Sequence, residues 1–395
     1  MTAVPLDVES LIADARAKTG LTDIGDEPWR EALTVLAAAL DREAKLHAIG
    51  RSVQRQRLVD SLAVRLTLVE ACKRHPAILA ERIDDPIVIV GLARTGTTML
   101  HRLVSSDPGL YSARWWEVRF PAPFAGWDWR GPDPRIAEAH AQVRTILETM
   151  PALAAIHPWD AEGPDEEIML MEHAFVSHVP ESSANLPSYR AWIERQDQRA
   201  QYAFLKRLLQ YLQWQKKRRG EHAQRWVLKA PTHQGNLDRL FETFPGAVVI
   251  HTHRDPVETI ASVASMYFSL WGLNTDAPDP LEIGNQVLDR YARAAERSIV
   301  LREAIPSERI VDVSYRDVAR DPVGTVRAIY AAIGRALTPE AEAAMRAWVA
   351  KNPREHRPPH EYSAEKFGLS RERIERACPR YRARFVGLAA SAPVR

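Results

Sequence analysis

Residues 86–103 read PIVIVGLARTGTTMLHRL. The apolar run Ile87–Val90 breaks at Gly91 into a loop that closes with Gly96-Thr97-Thr98, and an apolar-periodic segment follows. Strand, glycine-bounded loop and helix in that order turn successive backbone N–H groups toward an anion at a helix N-terminus. The loop lacks the lysine of an ATP-binding P-loop. Thr97 stands where a Gly-Lys-Ser/Thr run needs it, and Arg94 is the only cation within the loop. Taken alone, the segment reads equally well as a connection that needs glycine only for its turn.

Three other groups of residues carry chemistry. Lys229, in RWVLKAPTH, ends a strand-like run; in an open α/β sheet, ligands bind outside the carboxyl ends of the strands. The plain alternative is a surface charge. His253-Arg254-Asp255-Pro256 follows another strand-like run, and Ser262 lies eight residues beyond Arg254, about two turns into the next helix. A guanidinium fork and a hydroxyl so spaced suit one phosphate, against an Arg–Asp surface pair and a neutral helix serine. The basic, proline-broken tail NPREHRPPHEYSAEKFGL (352–369) reads as a loop whose Arg354, Arg357 and His360 either cover a charged ligand or are solvated.

These groups need a scaffold, and the hydrophobic pattern supplies one. Residues 6–80 read as helix throughout, with Leu33, Leu36, Ala37, Leu40 and then Leu58, Leu62, Leu66, Val69 at helical spacing. Four strand-like runs follow, Ile87–Val90, Trp226–Leu228, Ala247–His251 and Ile310–Val313. Helical patterns at 97–105, 234–244, 256–268 and 321–334 trail them. Short apolar strands alternating with helices predict an α/β fold: three layers, a mainly parallel central sheet and a P-loop-like strand–loop–helix. The expected organisation is an N-terminal helical extension, 1–80, and an α/β domain, 81–395. A long insertion, 106–225, interrupts that domain. It opens rich in proline and tryptophan and ends in a helix bearing Leu205, Leu208, Leu209 and Leu212, stopped by Gly220. The basic run Lys216 to Arg219 reads as a solvated helix end that complements the macrodipole.

Composition narrows the class. The 395 residues are 46% hydrophobic and 26% charged, as in ordinary globular proteins, and the formal net charge of +2 is too small for bulk attraction to nucleic acid. Cys72 and Cys378 are the only cysteines, and neither has metal-ligand or redox spacing. The N-terminus carries early acids and no apolar core of a signal peptide, and no apolar run reaches the length of a membrane span. A cytoplasmic protein without a metal centre is the expectation.

The ordered set of motifs resembles the sulfotransferases that use 3′-phosphoadenosine 5′-phosphosulfate (PAPS), in their bacterial branch. GLARTGTT looks like the family's 5′-phosphosulfate loop, HRDPVETIAS like its 3′-phosphate motif, and VDVSYRDVARDPVGTVRAIYAAIG (311–334) like its downstream strand–turn–helix. The resemblance implies roles. Arg94 takes the sulfuryl and 5′-phosphate oxygens, and Thr95, Gly96, Thr97 and Thr98 supply donors to the 5′-phosphate. Lys229 stabilises the bridging oxygen as it leaves. Arg254 and Ser262 hold the 3′-phosphate, and Arg357 and His360 complete its pocket from the tail. The implied reaction is metal-independent, in-line transfer of a sulfuryl group from PAPS to a hydroxyl of a small-molecule, sugar or lipid-like acceptor.

The general base departs from the family pattern. Where many members carry a histidine two residues after the lysine, this chain has Pro231, with His233 two residues further on. Other members use a glutamate some twenty residues past the loop, a window holding Glu117. Glu117 is ranked ahead of His233, and His173 and Glu166 behind both; the competing role for Glu117 is an ion pair with Arg114 or Arg119. The insertion is expected to bind the acceptor, with Trp115, Trp116, Trp127 and Trp129 as an aromatic wall or as core. Two rivals stay open. A nucleotide kinase with a divergent P-loop shares the strand–loop–helix, and a non-catalytic nucleotide-binding protein needs no lysine or base beside it.

Overall fold

A computed structural model describes residues 4–25, 28–151, 153–156, 159–352 and 363–387. Arg354, Arg357 and His360 lie outside the described residues. Five strands form one parallel sheet: β1 (Ile87–Val90), β2 (Leu110–Tyr111), β3 (Arg225–Lys229), β4 (Val248–His253) and β5 (Ile310–Ser314). Their order is β2-β3-β1-β4-β5. All four residues of β1 are fully buried, because helices cover both faces of the sheet; this is why the strand is a continuous apolar run rather than an alternating one. From β1 the chain runs out to the edge strand β2, returns to β3 beside β1, and then crosses to β4 on the other side of β1. The loop after β1 therefore sits at the switch point, where the crossovers diverge and leave a crevice.

The differences from the sequence pattern have local causes. Strand β2 has two residues, too few for a periodic signal. Strand β4 continues to His253 because it pairs with β5 as far as His253↔Ser314. Asp255 then ends the strand and caps the helix Pro256–Trp271, its Oδ1 accepting the Val257 N–H at 3.0 Å, with Pro256 at the first helical position. The segment after β3 starts as a 3₁₀ turn, Pro231–Asn236, before the helix Leu237–Thr243. Among the described residues, no helix is long and apolar enough to cross a membrane.

The N-terminal helices α1 (Val8–Thr19), α2 (Trp29–Arg42) and α3 (Ala48–Arg74) do not stand apart from the α/β unit. Their Leu33, Leu36, Leu58 and Leu62 share one core with Phe175, Leu186, Tyr189 and Ile193 of the insertion. Polar contacts from α3 reinforce that seam. Arg57 pairs with Glu172 at 2.8 Å, Arg65 Nη1 donates to the His173 carbonyl at 3.1 Å, and Ser61 Oγ meets His173 Nδ1 at 3.1 Å. His173, one of the lower-ranked bases, is thus part of the brace. Burial, with Arg119 and Arg65 beside it, pushes its imidazole down to about 3.

The basic run at 216–219 is only partly solvated. Lys217 and Arg218 are exposed, but Lys216 is buried, because the short helix Trp115–Arg119 closes over this end of the helix Arg199–Arg218. Burying cations requires a carboxylate, and Glu117 supplies it. Its Oε2 accepts from Lys216 Nζ at 2.7 Å and from the Arg114 N–H at 3.0 Å, and its Oε1 accepts from Arg219 Nη2 at 2.6 Å. The side chain is 0% exposed. Glu117, the first of the expected bases, is therefore an anchor between two helices, and its partners are Lys216 and Arg219 rather than Arg119. Burial alone would raise its carboxyl, but Lys216 and Arg219 outweigh burial and hold it below the ordinary 4.5.

A stability prediction follows from that network. Glu117→Gln leaves the buried Lys216 without its close carboxylate and the half-buried Arg219 with Glu221 as its one close carboxylate, and should cost about 3–5 kcal/mol in denaturant unfolding near neutral pH. Because the folded-state value is depressed, this contribution is present above the ordinary 4.5 and is lost as pH falls below it. The gap between wild type and variant should narrow in the same range. A gap below about 0.5 kcal/mol at neutral pH, the scale of an ordinary surface change, would remove Glu117 from this role.

Candidate functional site

The loop from Gly91 to Gly96 is held by packing that tolerates few other residues. A Cβ on Gly91 would lie 2.3 Å from Thr252 Oγ1, and one on Gly96 would lie 2.9 Å from the Tyr315 ring. Arg94 (φ 72°) and Gly96 (φ 85°) adopt left-handed backbone, which for arginine costs on the order of 1–3 kcal/mol. Three hydrogen bonds offset that cost. Arg254 Nη1 donates to the Arg94 carbonyl at 3.2 Å. Thr95 Oγ1 donates to the Leu92 carbonyl and meets Thr252 Oγ1, both at 2.7 Å. The fully buried Thr95 hydroxyl thus ties the loop to β4 and is not presented to a ligand. Gly96 is the N-cap of α4 (Thr97–Val104) and offers no side chain to cap it, so the first backbone N–H groups of α4 remain for an anion.

Lys229, the last residue of β3, points at that helix start. Its Nζ donates to Thr98 Oγ1 at 3.0 Å and pairs with the Glu166 carboxylate. Lys229 is almost fully buried, while Glu166 retains 18% side-chain exposure. The neighbouring Glu167 is buried and works on the same residue from behind. Its Oε2 accepts the Lys229 backbone N–H at 2.7 Å, and its Oε1 meets His233 Nε2 at 2.7 Å. The other ring nitrogen of His233 meets the Tyr202 hydroxyl at 2.7 Å. His233, the second expected base, has no exposed surface and both nitrogens engaged, because the 3₁₀ turn after β3 folds it inward. Burial would raise the Glu167 carboxyl, but the bonds from His233 and the Lys229 N–H outweigh it and hold the group ionised. His101, one turn into α4, is pushed down to about 4 by burial and by the Lys229 charge.

Arg254 follows directly on β4. Its guanidinium lies 4.2 Å from the centre of the Tyr315 ring, and its Nε donates to Glu258 at 2.8 Å. It therefore stands over the loop it supports, with 27% side-chain exposure. Both neighbours are clamped. His253 meets Asp312 Oδ1 at 2.7 Å and the Tyr381 hydroxyl at 2.9 Å, and Asp255 pairs with Arg382 at 3.0 Å. Ser262 is buried within the helix Pro256–Trp271.

The tryptophans do not gather here. Trp115 and Trp116 pack in a core with Ala139 and Val143. Trp129 stacks with Trp127 at 4.8 Å and meets Trp214 edge-on at 5.6 Å, beneath Arg218. One cluster among the described residues groups metal-ligating atoms within 4.8 Å: His251, His253 and Asp312. Arg302 occupies it, donating to both Asp312 oxygens at 2.6 Å and to His251 Nδ1 at 3.0 Å. A nitrogen accepting from arginine leaves the ring proton on Nε2, so this set is a hydrogen-bond network rather than a cation cage. Pattern reading passed over Glu167, which lies far from the motifs in sequence, and gave no role to Asp312 and Tyr315 within the 311–334 motif. The available signal for the first was the doublet Glu166-Glu167 directly before the apolar run Ile168–Met171.

Residues 86–339 match the model described as the Sulfotransferase family. Over 257 residues the chain is 27% identical to omega-hydroxy-beta-dihydromenaquinone-9 sulfotransferase Stf3 of Mycobacterium bovis, a match spanning 64% of this chain and 63% of that protein. The structure is similar to sulfotransferase STF1 from Mycobacterium tuberculosis, with a TM-score of 0.82, 32% identity and coverage of 94% of this chain and 98% of that one. It is also similar to sulfotransferase STF9 from Mycobacterium avium, with a TM-score of 0.85, 27% identity and 98% coverage of each chain. The family match spans well over half of the chain and takes in the glycine-bounded loop, the strand-end lysine and the arginine over the loop, so this chain belongs to the sulfotransferase family.

Proposed function

We propose that the protein transfers a sulfuryl group from PAPS to the hydroxyl of a lipid-like acceptor, in the cytoplasm. The observation that carries this reading is the position of Lys229 Nζ between Thr98 of the loop helix and the Glu166 carboxylate. One cation thereby touches both an anion cradle and a partly exposed base. The acceptor class is suggested by the curated relative, whose name specifies a hydroxylated menaquinone. The compartment is suggested by the free cysteines Cys72 and Cys378.

In the proposed reaction the loop, the first N–H groups of α4 and Arg94 hold the 5′-phosphosulfate, and Arg254 and Ser262 take the 3′-phosphate. The acceptor oxygen attacks sulfur, and its O–H proton passes to Glu166. A new S–O bond forms as the bond from sulfur to the bridging oxygen breaks. The electron pair leaves on the 5′-phosphate, where Lys229 stabilises it. Arg94 and Lys229 supply the positive charge, so the proposal includes no metal. Glu166 replaces Glu117 and His233 as the base because its carboxylate is partly open and its partner is the lysine that must turn toward the leaving oxygen. The kinase reading gains nothing from the loop, where Thr97 still occupies the place of the lysine.

Two measurements test the reading. By calorimetry, 3′-phosphoadenosine 5′-phosphate should bind and ATP–Mg should not. Arg254→Ala should weaken the bisphosphate about tenfold to a hundredfold more than its 3′-dephospho analogue, the worth of a hydrogen bond to a charged group. Any smaller loss common to both reports the lost prop on the Arg94 carbonyl; equal loss for both would remove Arg254 from the 3′-phosphate role. Glu166→Gln should lower kcat about 10²- to 10⁴-fold with bisphosphate binding retained. A variant turning over at the wild-type rate would mean that another group takes the proton.

A further inference from the structure

Beside the reacting groups lies a cavity of about 520 Å³. Leu92 of the loop, two residues before Arg94, forms part of its wall, and so do Pro231 and Thr232, just after Lys229. Tyr291 of the helix Pro280–Arg302 lines it as well. Burial, the neighbouring Tyr267 and, more weakly, the Glu166 charge push the Tyr291 hydroxyl up, which puts the proposed base within electrostatic reach of this wall.

Charges around the cavity are mostly cancelled locally. Arg239 pairs with Asp197 at 3.3 Å, Arg293 with Glu194, and Arg297 lies 3.8 Å from Asp238. Glu296 has no ion pair among the described residues and accepts the Tyr381 N–H at 3.0 Å. Arg290 is the cavity's one cation without an ion pair among the described residues. Its Nη1 donates to the Tyr267 hydroxyl at 2.9 Å and to the His178 carbonyl at 3.4 Å, both uncharged. The nearby buried Glu181 is already held by Arg190 at 3.1 Å and His178 at 2.6 Å. Among the described residues, Arg290 has no carboxylate in ion-pair contact; it lines the cavity and shares the charge of Glu181 with Arg190 and His178. A half-buried guanidinium that shares one carboxylate with another arginine keeps charge to offer a carboxylate ligand.

We propose that this cavity is the acceptor site and that it selects an alcohol carrying a carboxylate, which Arg290 binds while the hydroxyl reaches Glu166. The proposal rests on the sulfotransferase reading above and narrows its acceptor to amphiphiles with one anionic group remote from the reacting hydroxyl. Leu92 and Tyr291 give the intervening chain apolar wall.

The test compares ω-hydroxydecanoate with α,ω-decanediol, which differ only at the end remote from the reacting hydroxyl, using wild-type enzyme and PAPS. The hydroxy acid should be preferred about tenfold or more in kcat/KM, mainly through KM, on the scale of one charge-assisted contact. Arg290→Gln should bring the ratio of the two acceptors to about one, and Arg290→Lys should restore part of it. No preference in the wild type, or a preference that survives Arg290→Gln, overturns the assignment. The wild-type comparison stands even if a variant folds poorly. Calorimetry with 3′-phosphoadenosine 5′-phosphate separates the two levels: bisphosphate binding without acceptor preference sinks only this inference, whereas absence of bisphosphate binding sinks the sulfotransferase reading itself.

Discussion

The buried carboxylate of Glu167 is the constraint on which the site depends. Removed from water, it must be met by donors, and the two it finds are the backbone N–H of Lys229 and the ring of His233. That pair of bonds joins the insertion to the end of β3 and leaves the lysine side chain only one way to go, toward the start of α4. Adjacent glutamates then divide the work on a single residue. Glu167 holds the Lys229 backbone, and Glu166 meets its ammonium. A neutral residue at 167 would leave a strand-end N–H and a buried imidazole unsatisfied together, at a cost comparable to that of breaking any buried polar network.

The rest of the molecule secures that arrangement from three sides. On one, α3 grips Glu172 and His173, at and just after the end of the short helix that follows the glutamate pair. On the opposite side of β1, the clamps on His253 and Asp255 come from β5 and from the C-terminal helix Pro379–Phe385, which also stacks Phe385 on His253 at 4.0 Å. Between them, Thr95 and Thr252 lash the loop to β4. The left-handed turn at Arg94 persists because its surroundings over-determine it, with the Arg254 guanidinium as both prop and neighbour. Preorganisation of this kind suits a reaction in which charge stabilisation and positioning do most of the work.

Much of the scaffold was legible in the chain itself. The run Ile87–Val90 reads as a buried parallel strand, and it is the central one; the loop, the lysine and the arginine follow strands, and the structure brings all three to the same edge of the sheet. Pattern reading failed where partners are distant in sequence. Glu117 and His233 both fit a spacing, but spacing says nothing about burial, and each turned out to be enclosed with every polar atom engaged. The basic run at 216–219 likewise reads as a solvated helix end until the Trp115–Arg119 helix is seen closing over Lys216.

What the sequence by itself determined is the alternation of strand and helix and the presence of a glycine-bounded loop, with its arginine, at a helix N-terminus. Those depend on hydrophobic period, glycine placement and local turn chemistry, which act over a few residues. What only the tertiary structure decided is which acid faces the lysine, which histidine is locked away and which arginine has no carboxylate in ion-pair contact. Those depend on contacts between residues some 60 to 130 positions apart, as Lys229 is from Glu166 and Thr98. Burial then encloses Glu117 and Glu167 and leaves Glu166 partly open, a distinction that no local pattern carries.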